Sequence, residues 1–232
     1  MQIRWWSWSV VVVGFWICSV CRADDAPRYV RLGSGMSGHI HPAACVTKKG
    51  AVLVTYCQTE AKDMRLCRST DGGLTWGAPV MTENTSLSPD KNWIVCDNTS
   101  TSPYYGNCYT EWDDNGAGNK LYMSTSSDGG RTWSAKATNG AGVIGGQPVV
   151  RPDGIVIVPT DNAYETSVGA FSSSNGGLTW SNVTTIARIN HHRVAGSLRE
   201  GPLPTAEIDA AGTVYVAWSD CRFRSRCVTN DI

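Results

Sequence analysis

Three stretches of the chain repeat one octapeptide: Ser69-Thr70-Asp71-Gly72-Gly73-Leu74-Thr75-Trp76, Ser126-Ser127-Asp128-Gly129-Gly130-Arg131-Thr132-Trp133 and Ser173-Ser174-Asn175-Gly176-Gly177-Leu178-Thr179-Trp180. The shared pattern is Ser-x-Asp-x-Gly-x-Thr-Trp, with Asn for Asp in the third copy, and the copies start 57 and then 47 residues apart. Self-similarity at this period indicates a repeated supersecondary unit, and propeller blades of about 40–50 residues match it best. The repeats therefore predict a β-propeller.

Each octapeptide has the composition of a tight chain reversal at the end of a β-strand. The Asp or Asn side chain accepts local backbone N–H groups, and the following glycines supply positive φ without steric cost. Ser and Thr hydroxyls close further local hydrogen bonds, and the closing Trp offers a large apolar surface to bury between neighbouring sheets. We therefore expect a structural role for the octapeptide, and Asp71 and Asp128 are not expected to be catalytic acids.

Hairpins recur outside the octapeptides. Apolar, β-branched runs flank a turn or loop in four units, which are 42–46 with 51–56, 93–96 with 107–112, 148–150 with 155–158, and 205–208 with 213–218. In the first three units a third strand, the octapeptide and a fourth strand follow, which gives four-stranded antiparallel blades. The fourth unit stops at Ile232, where its third strand would begin. We therefore expect an all-β fold, a partial β-propeller of about three and a half blades over residues 24–232, in a chain that is a fragment.

Residues 1–23 resemble an export signal. Arg4 gives a positive start, residues 5–20 are almost wholly apolar or small, and Cys21-Arg22-Ala23 ends the run with a small residue. The alternative of a retained membrane anchor is weaker because the run is short and the acidic pair Asp24-Asp25 follows it. We expect a secreted, periplasmic or extracellular protein with no membrane association beyond this signal.

Charge excludes one class of partner. The 20 Lys and Arg residues balance the 20 Asp and Glu residues, and no basic stripe is present. Nucleic-acid binding is therefore not expected.

Seven of the nine cysteines follow the proposed signal, and export permits disulfides. Cys96 and Cys108 lie on the two strands of one predicted hairpin, and Cys221 and Cys227 bracket a short Arg-rich loop. Both pairs are expected bridges. The other three cysteines lie in the first blade and leave one thiol over; they are Cys45, Cys57 and Cys67.

No cofactor and no metal site are expected. The stretch 113–119 has the oxygen-rich, glycine-bent composition of a calcium loop, but its spacing is not that of an EF-hand. A wide hairpin turn is the favoured interpretation, with calcium as the alternative.

The octapeptide resembles the Asp-box, or bacterial neuraminidase repeat, of sialidases, and the similarity extends over most of residues 36–232. The Asp-box also occurs in other glycosidases, in sortilin-like receptors and in non-enzymatic propellers, so function has to come from the site. The resemblance implies three arginines that bind the sugar carboxylate, an acid/base Asp, and a Tyr nucleophile activated by a Glu. A phenol needs such a base to attack at neutral pH, and guanidinium groups match a carboxylate bidentately.

Two acids of this chain match the catalytic positions that the resemblance implies. Asp63 precedes the first octapeptide by one strand, at the spacing of the family's general acid; the alternative is a solvated loop acid. Glu200, in Arg199-Glu200-Gly201-Pro202 before a hairpin, matches the Glu that activates the nucleophile, although Arg199 stands where the family has Asn.

The arginine positions match less well. The family's first arginine opens blade one, where this chain has Ile40 within His39-Ile40-His41-Pro42, and Arg31 is a possible substitute. Arg222 is the expected second arginine, with a loop-stabilising pair to Asp220 as the alternative. The third arginine and the tyrosine would lie beyond Ile232, so we expect the 232-residue chain alone to lack sialidase activity.

Strand starts of propellers tend to face a central pocket, which draws attention to two further pairs. His39 and His41 share one face of a segment expected to be extended, where they could contact an anion or transfer protons; two half-exposed histidines at a strand start are the alternative. Lys91 and Trp93 open blade two and could bind a sugar, the Trp by stacking; a local salt bridge beside a core Trp is the alternative.

Three functions remain open at this point. The first is an exo-α-sialidase that removes terminal sialic acid from glycoconjugates by a retaining, Tyr-nucleophile mechanism. The second is a non-catalytic Asp-box propeller that binds glycans or another protein, which Ile40 favours. The third is another carbohydrate-active enzyme on the same fold, with the His39 and His41 pair in its site.

Overall fold

The computed structural model of the chain describes residue 32 and residues 39–58, 61–83, 88–198 and 200–232. The proposed export signal and Arg31 lie outside these residues. Regular structure in the described part consists of β-strands and three short 3-10 helices, which are Asn115–Ala117, Ala195–Ser197 and Ser225–Cys227. No helix there is long and apolar enough to cross a membrane.

The strands form consecutive antiparallel units in chain order, as the hairpin pattern predicts. Blade one is a four-stranded sheet in the order β1-β2-β3-β4: β1 (His39–Val46), β2 (Val52–Gln58), β3 (Asp63–Ser69) and β4 (Val80–Glu83). Blade two has three strands, β5 (Pro89–Cys96), β6 (Cys108–Asp114) and β7 (Lys120–Ser126). Two isolated bridges, Lys120 to Gly142 and Met123 to Ala137, take the place of its fourth strand.

Blade three has its inner strand in two pieces. Its strands are β8 (Val143–Gly146), β9 (Val149–Val150), β10 (Val156–Asn162), β11 (Ser167–Ser173) and β12 (Thr184–Arg188), and β8 and β9 both pair with β10. The fourth unit is a hairpin of β13 (Thr205–Ile208) and β14 (Val214–Ala217). The all-β fold of partial propeller type is confirmed.

The octapeptides form the connections after β3, β7 and β11, each stapled by its own side chains. In the second copy, Asp128 Oδ1 accepts from Ser126 Oγ and from the Thr132 amide at 2.9 and 3.0 Å, and Oδ2 accepts from Thr132 Oγ1 at 2.6 Å. Burial opposes ionisation of Asp128, but these hydrogen bonds outweigh it and lower its pKa to about 2. In the third copy the hydrogen bond to the Thr side chain runs in the opposite direction, because Asn175 Nδ2 donates to Thr179 Oγ1 at 2.7 Å.

The second and third octapeptides also dock on the blade that precedes them. A Cβ on Gly130 would lie 2.7 Å from Leu53 Cδ2 of blade one, and a Cβ on Gly177 would meet Tyr109 Cε1 of blade two at 3.1 Å. The tryptophans that end these two octapeptides pack at the same junctions between blades. Trp133 packs on the core between blades one and two, and Trp180 packs on the core between blades two and three. Both cores therefore lie between neighbouring sheets.

Both expected disulfides are present, Cys96–Cys108 and Cys221–Cys227. Cys96–Cys108 closes the long β5–β6 loop, from which Asn98 Nδ2 donates to Val46 O of blade one at 2.8 Å and Tyr104 Oη donates to Ser174 O of blade three at 3.1 Å. The thiols Cys45, Cys57 and Cys67 are free, and Cys45 Sγ lies 3.2 Å from Cys96 Sγ.

The docking of the second octapeptide predicts that alanine substitutions at two adjacent glycines destabilise the protein by different amounts. Gly129 and Gly130 both have left-handed φ, +74° and +84°, but a Cβ on Gly129 would approach only Arg131 Nη1, at 4.0 Å. Gly129→Ala is expected to cost about 1 kcal/mol of stability through backbone strain alone. Gly130→Ala is expected to cost a further ~1–3 kcal/mol because the methyl group overpacks against buried Leu53. Denaturant unfolding of both variants measures the difference, and equal losses would contradict docking of the octapeptide on blade one.

Candidate functional site

The inner strands of the first three blades share one irregularity. Their ladders are interrupted between Ile40 and Ala43 in β1, between Asp90 and Trp93 in β5, and beside Gly145 in β8. In each blade one residue there takes a left-handed φ: +50° at His41, +44° at Lys91 and +66° at Gly145. Bulges of this kind re-aim a side chain and are common next to functional sites.

The bulge in β1 corrects an expectation from the sequence. A regular strand would place His39 and His41 on one face, but the pairing skips from Ile40–Cys57 to Ala43–Thr55. Pro42 has no N–H to donate to the ladder, so pairing cannot continue through it. His41 is therefore aimed by the bulge rather than by strand alternation, and the side chain of His39 lies outside the described part.

A pocket of about 630 Å³ opens at the three bulges. His41, Lys91 and Trp93 line it from blades one and two, and the exposed fraction of Trp93 is 41%. The remaining wall is largely apolar or backbone: Pro42, Asn92, Ile144, Gly145, Gly146, Gln147, Leu203 and Pro204. Gln147 joins blade three to β13, since its amide donates to Ala206 O at 2.6 Å and its oxygen accepts from Thr205 Oγ1 at 2.8 Å.

An ion pair between two blades stands at the pocket. His41 Nδ1 lies 2.6 Å from Asp90 Oδ1, and Asp90 also accepts from the Lys91 amide and from Asn115 Nδ2, both at 2.9 Å. Burial alone would raise the pKa of Asp90, but the hydrogen bonds from His41 and Asn115 outweigh it and hold that pKa at about 2. Asp90 is therefore an ionised carboxylate at neutral pH.

Two further carboxyls lie buried behind Gly145 and Gly146, which form part of the pocket wall. Asp113 pairs across the sheet with Asp90 and accepts from the Gly145 amide at 3.2 Å, and its Oδ2 has no partner in the described structure. Burial raises the pKa of Asp113 to about 7 against the opposing hydrogen bond from Gly145, and the charge of Asp90 raises it further. Burial and repulsion by Asp113 raise the pKa of Glu111 well above its usual range.

These groups determine what the pocket can bind. No acidic side chain is among the described lining residues, and no described carboxylate pairs with the Lys91 ammonium. Asp90 compensates the charge of His41 when that ring is protonated, which leaves Lys91 as the net charge. Beside it, Trp93 offers an indole face. The pocket therefore suits a ligand with an anionic group and an apolar ring face.

Three of the residues singled out from the sequence meet here, and three others do not. His41, Lys91 and Trp93 line the pocket. Asp63 is buried and is bound by the guanidinium of Arg65, at 3.0 Å from Nε to Oδ1 and 2.9 Å from Nη2 to Oδ2. Arg222 Nε donates to Asp220 Oδ2 at 2.7 Å, in the pairing that the loop-stabilising alternative describes.

Glu200 lies in a second cleft of about 730 Å³ beside Tyr164, His191 and Arg193. Its Oε1 accepts from His191 Nε2 and Asn230 Nδ2, both at 3.0 Å. Burial opposes the shift, but these bonds lower the pKa of Glu200. Glu200 is therefore ionised and held by local partners.

The stretch 113–119 forms a 3-10 turn between β6 and β7, in which Asp114 Oδ1 accepts from the Ser88 and Gly116 amides at 2.8 and 3.1 Å. Within the described ranges, no group of three or more His, Cys, Asp or Glu side chains could hold a metal ion.

The sequence did not reveal Asp90 as the partner of His41 or Gly145 as part of the wall. One signal was available, because His41 and Gly145 each stand 28 positions before the first Ser of their own octapeptide. In blade two the corresponding separation from Lys91 to Ser126 is 35, and the long β5–β6 loop hides the correspondence. Contacts between residues of different blades produce no recognisable spacing in the sequence. The sequence therefore did not predict that Asp90 pairs with His41.

No protein-family model matches the chain, and a search of curated proteins found no match. Solved structures do match. A protein of unknown function from Dyadobacter fermentans is 15% identical with a TM-score of 0.55, over 80% of this chain and 58% of that one. The α-L-arabinofuranosidase Arb93A from Fusarium graminearum is 15% identical with a TM-score of 0.52, over 72% and 52%. The Hadza microbial sialidase Hz136 is 17% identical with a TM-score of 0.49, over 66% and 38%.

At such identities the likeness to the first two structures shows the fold alone. The chain spans between about two fifths and three fifths of the length of these three structures.

The buried carboxyl behind the pocket predicts a pH-dependent stability. Folding raises the pKa of Asp113 to about 7 from an unfolded value of ~4, so protonation of this carboxyl favours the folded state. This contribution to stability is complete below the unfolded pKa and is lost as the pH rises to about 7. Asp113→Asn is therefore expected to be more stable than the wild type at pH 8, with an advantage that grows by on the order of 1–3 kcal/mol between pH 5 and pH 8.

Denaturant unfolding at the two pH values measures this advantage. Asp161, at the same position of β10, is buried with a pKa of about 7, so Asp161→Asn is expected to behave alike. Asp153→Asn, in the exposed turn between β9 and β10, reports the effect of an amide substitution itself. An advantage for Asp113→Asn that is equal at both pH values would show that the carboxyl is not buried in its neutral form.

Proposed function

We propose that the protein is a carbohydrate-active propeller that binds a terminal sugar in the pocket at the three bulges, and that this sugar carries a carboxylate. The observation that carries the proposal is the convergence of Lys91, Trp93 and His41 on one pocket from two blades. The arabinofuranosidase that shares the fold supports it as an example of a glycan-acting enzyme with this architecture.

The chemistry of the pocket supports an acidic sugar over a neutral one. An indole face stacks on the apolar face of a pyranose ring, and the half-exposed Trp93 lines the pocket. The Lys91 ammonium, which makes no ion pair with a carboxylate of the described residues, would pair with the sugar carboxylate. A neutral sugar would leave that charge without a partner and would lose the charge-assisted bond.

Sialic acid is the acidic sugar that the resemblance to sialidases implies, and exo-α-sialidase activity of the whole protein is the finer form of the proposal. In that form Asp63 is the general acid, Glu200 activates the Tyr nucleophile, and Arg222, Arg31 and His39 contribute to binding. Export to a secreted or periplasmic location belongs to the same proposal, and the two disulfides support it because such bonds persist in oxidising compartments.

A specific observation favours a second candidate, a propeller that binds glycans without cleaving them. Asp63 is engaged by Arg65, and Glu200 is engaged by His191 and Asn230 in a different cleft. Neither acid is among the residues that line the pocket of Lys91 and Trp93. In this candidate the same pocket binds the same sugar, and only turnover separates the two functions.

Two pocket variants test the proposal by calorimetric titration with methyl α-sialoside, methyl β-glucuronide and methyl β-galactoside. Lys91→Gln is expected to weaken binding of the two acidic sugars by about tenfold or more and to leave any binding of the galactoside unchanged, because only the charge-assisted bond is lost. Trp93→Ala is expected to weaken all three, because stacking does not depend on charge.

Lys49→Gln, in the exposed β1–β2 turn, is the matched control for removal of one positive charge and is expected to bind as the wild type does. If the wild type binds none of the three sugars, the proposal is wrong. For the sugar that binds, release of a fluorogenic phenol from its aryl glycoside, an α-sialoside in the sialidase form of the proposal, then decides between the two candidates.

A further inference from the structure

We propose that His41 and Asp90 form the proton-transfer pair of the pocket, in which His41 Nε2 exchanges a proton with the bound sugar and Asp90 positions the ring. The inference rests on the proposed function, because it assigns a catalytic residue to the same pocket. It places the chemistry on an imidazole instead of on Asp63.

The geometry assigns the two ring nitrogens to different tasks. Nδ1 lies 2.6 Å from Asp90 Oδ1 and 3.2 Å from the Lys91 amide nitrogen, and Nε2 has no hydrogen-bond partner among the described residues. When Nδ1 carries a proton it donates to Asp90 Oδ1, and the Lys91 amide then donates to Asp90 Oδ1 alone, at 2.9 Å. The His41 side chain is 37% exposed and lines the pocket, whereas that of Asp90 is 11% exposed. An imidazole held through one nitrogen by a buried carboxylate, with the other nitrogen open, is the arrangement that catalytic histidines use.

Asp90 is itself fixed, which a positioning residue requires. The Lys91 amide and Asn115 Nδ2 each donate to it at 2.9 Å, from the bulge of β5 and from the turn after β6. His41 reaches it from the other blade through a left-handed φ of +50°. A non-glycine residue in that conformation is strained, and such strain concentrates at functional sites. Two blades thus cooperate to set the direction of one ring.

The chemistry balances for hydrolysis of a glycosidic bond. The His41 imidazolium gives its Nε2 proton to the leaving oxygen while the bond between that oxygen and the anomeric carbon breaks. The neutral ring keeps its Nδ1 proton, which Asp90 holds. A water molecule then supplies the oxygen of the new bond to the anomeric carbon and returns a proton to Nε2, so that the pair ends as it began.

Other titratable groups around the pair affect its pH dependence. Burial raises the pKa of Asp113 on β6, and the charges of Lys91 on β5 and of His41 oppose that shift. Glu111 on β6 and Cys57 on β2 lie near the same acids. Because burial raises the pKa of Asp113 to about 7, the negative charge of Asp113 appears as the pH rises through neutrality. The pH profile therefore reports on the pair together with Asp113.

The test compares two substrates that differ only in leaving group. Nitrophenyl α-sialoside has a leaving group that needs no proton, and sialyllactose has one that does. His41→Asn is expected to lower the turnover of sialyllactose by about 10²–10⁴-fold and that of the nitrophenyl substrate by less than tenfold. Nitrophenyl β-glucuronide and a glucuronide disaccharide serve in the same way if the pocket prefers that sugar.

Asp90→Asn separates a positioning role from a structural one. It is expected to lower sialyllactose turnover and to move the alkaline limb of the pH profile to lower pH, because the imidazolium loses its counter-ion. His192→Asn is the control for loss of a histidine, and His41→Gln replaces His41→Asn if the latter does not fold.

The outcomes decide between the two proposals. Equal losses on both substrates, or turnover of both by His41→Asn at the wild-type rate, would overturn the proton-transfer role. Sugar binding by the wild type with no turnover of any substrate overturns it as well and leaves the glycan-binding function intact. Absence of sugar binding overturns the proposed function itself.

Discussion

Gly130 lies so close to Leu53 that a single methyl group would bring the two blades into collision, and a methyl group on Gly177 would crowd Tyr109 of blade two at 3.1 Å. Each contact fixes the distance between one octapeptide and the sheet before it. Since Trp133 and Trp180 fill the cores at the same junctions, the angle between neighbouring blades is set there as well. The inner strands, which meet at the other end of the blades, are held together there by the His41–Asp90 pair as well.

The two ends of the blades thus have different tasks. The octapeptides close the end at which the inner strands finish, where the first Ser, the Asp or Asn and the Thr of each copy are hydrogen-bonded to one another. The bulges occupy the end at which these strands begin, where His41 and Lys91 adopt a conformation that costs energy in a non-glycine residue. Buried carboxyls without full hydrogen bonding lie at the same end. Locally hydrogen-bonded turns at one end of the blades thus accompany strained bulges and buried carboxyls at the other.

Local sequence signals predicted the fold well. The octapeptides, the hairpins and both disulfides depend on residues close together in the chain, and each was recognisable from spacing and residue type. The pocket was only partly predictable. Lys91 and Trp93 were found because they open a blade, but the pairing of Asp90 with His41 joins residues from different blades. The left-handed φ of His41 could not be predicted either, because only the whole fold stabilises it.

The same limit applies to the residues carried over from the sialidase resemblance. Asp63 and Glu200 occur at suitable places in the chain, yet their neighbours in space, Arg65 for one and His191 with Asn230 for the other, decide what they contact. A motif in the sequence identifies a position along a strand. It does not identify the partner that engages the side chain there.

The second and third octapeptides dock on blades that precede them in the sequence, and this order bears on how the protein folds during synthesis. Gly130 packs on Leu53 and Gly177 on Tyr109, so the second and third octapeptides each contact a blade that is synthesised before them. The hairpins within each blade are local and form quickly, whereas pairing between distant segments is slow. A nascent blade therefore finds its docking surface in place as it emerges, and the chain can be built in the order in which it is translated.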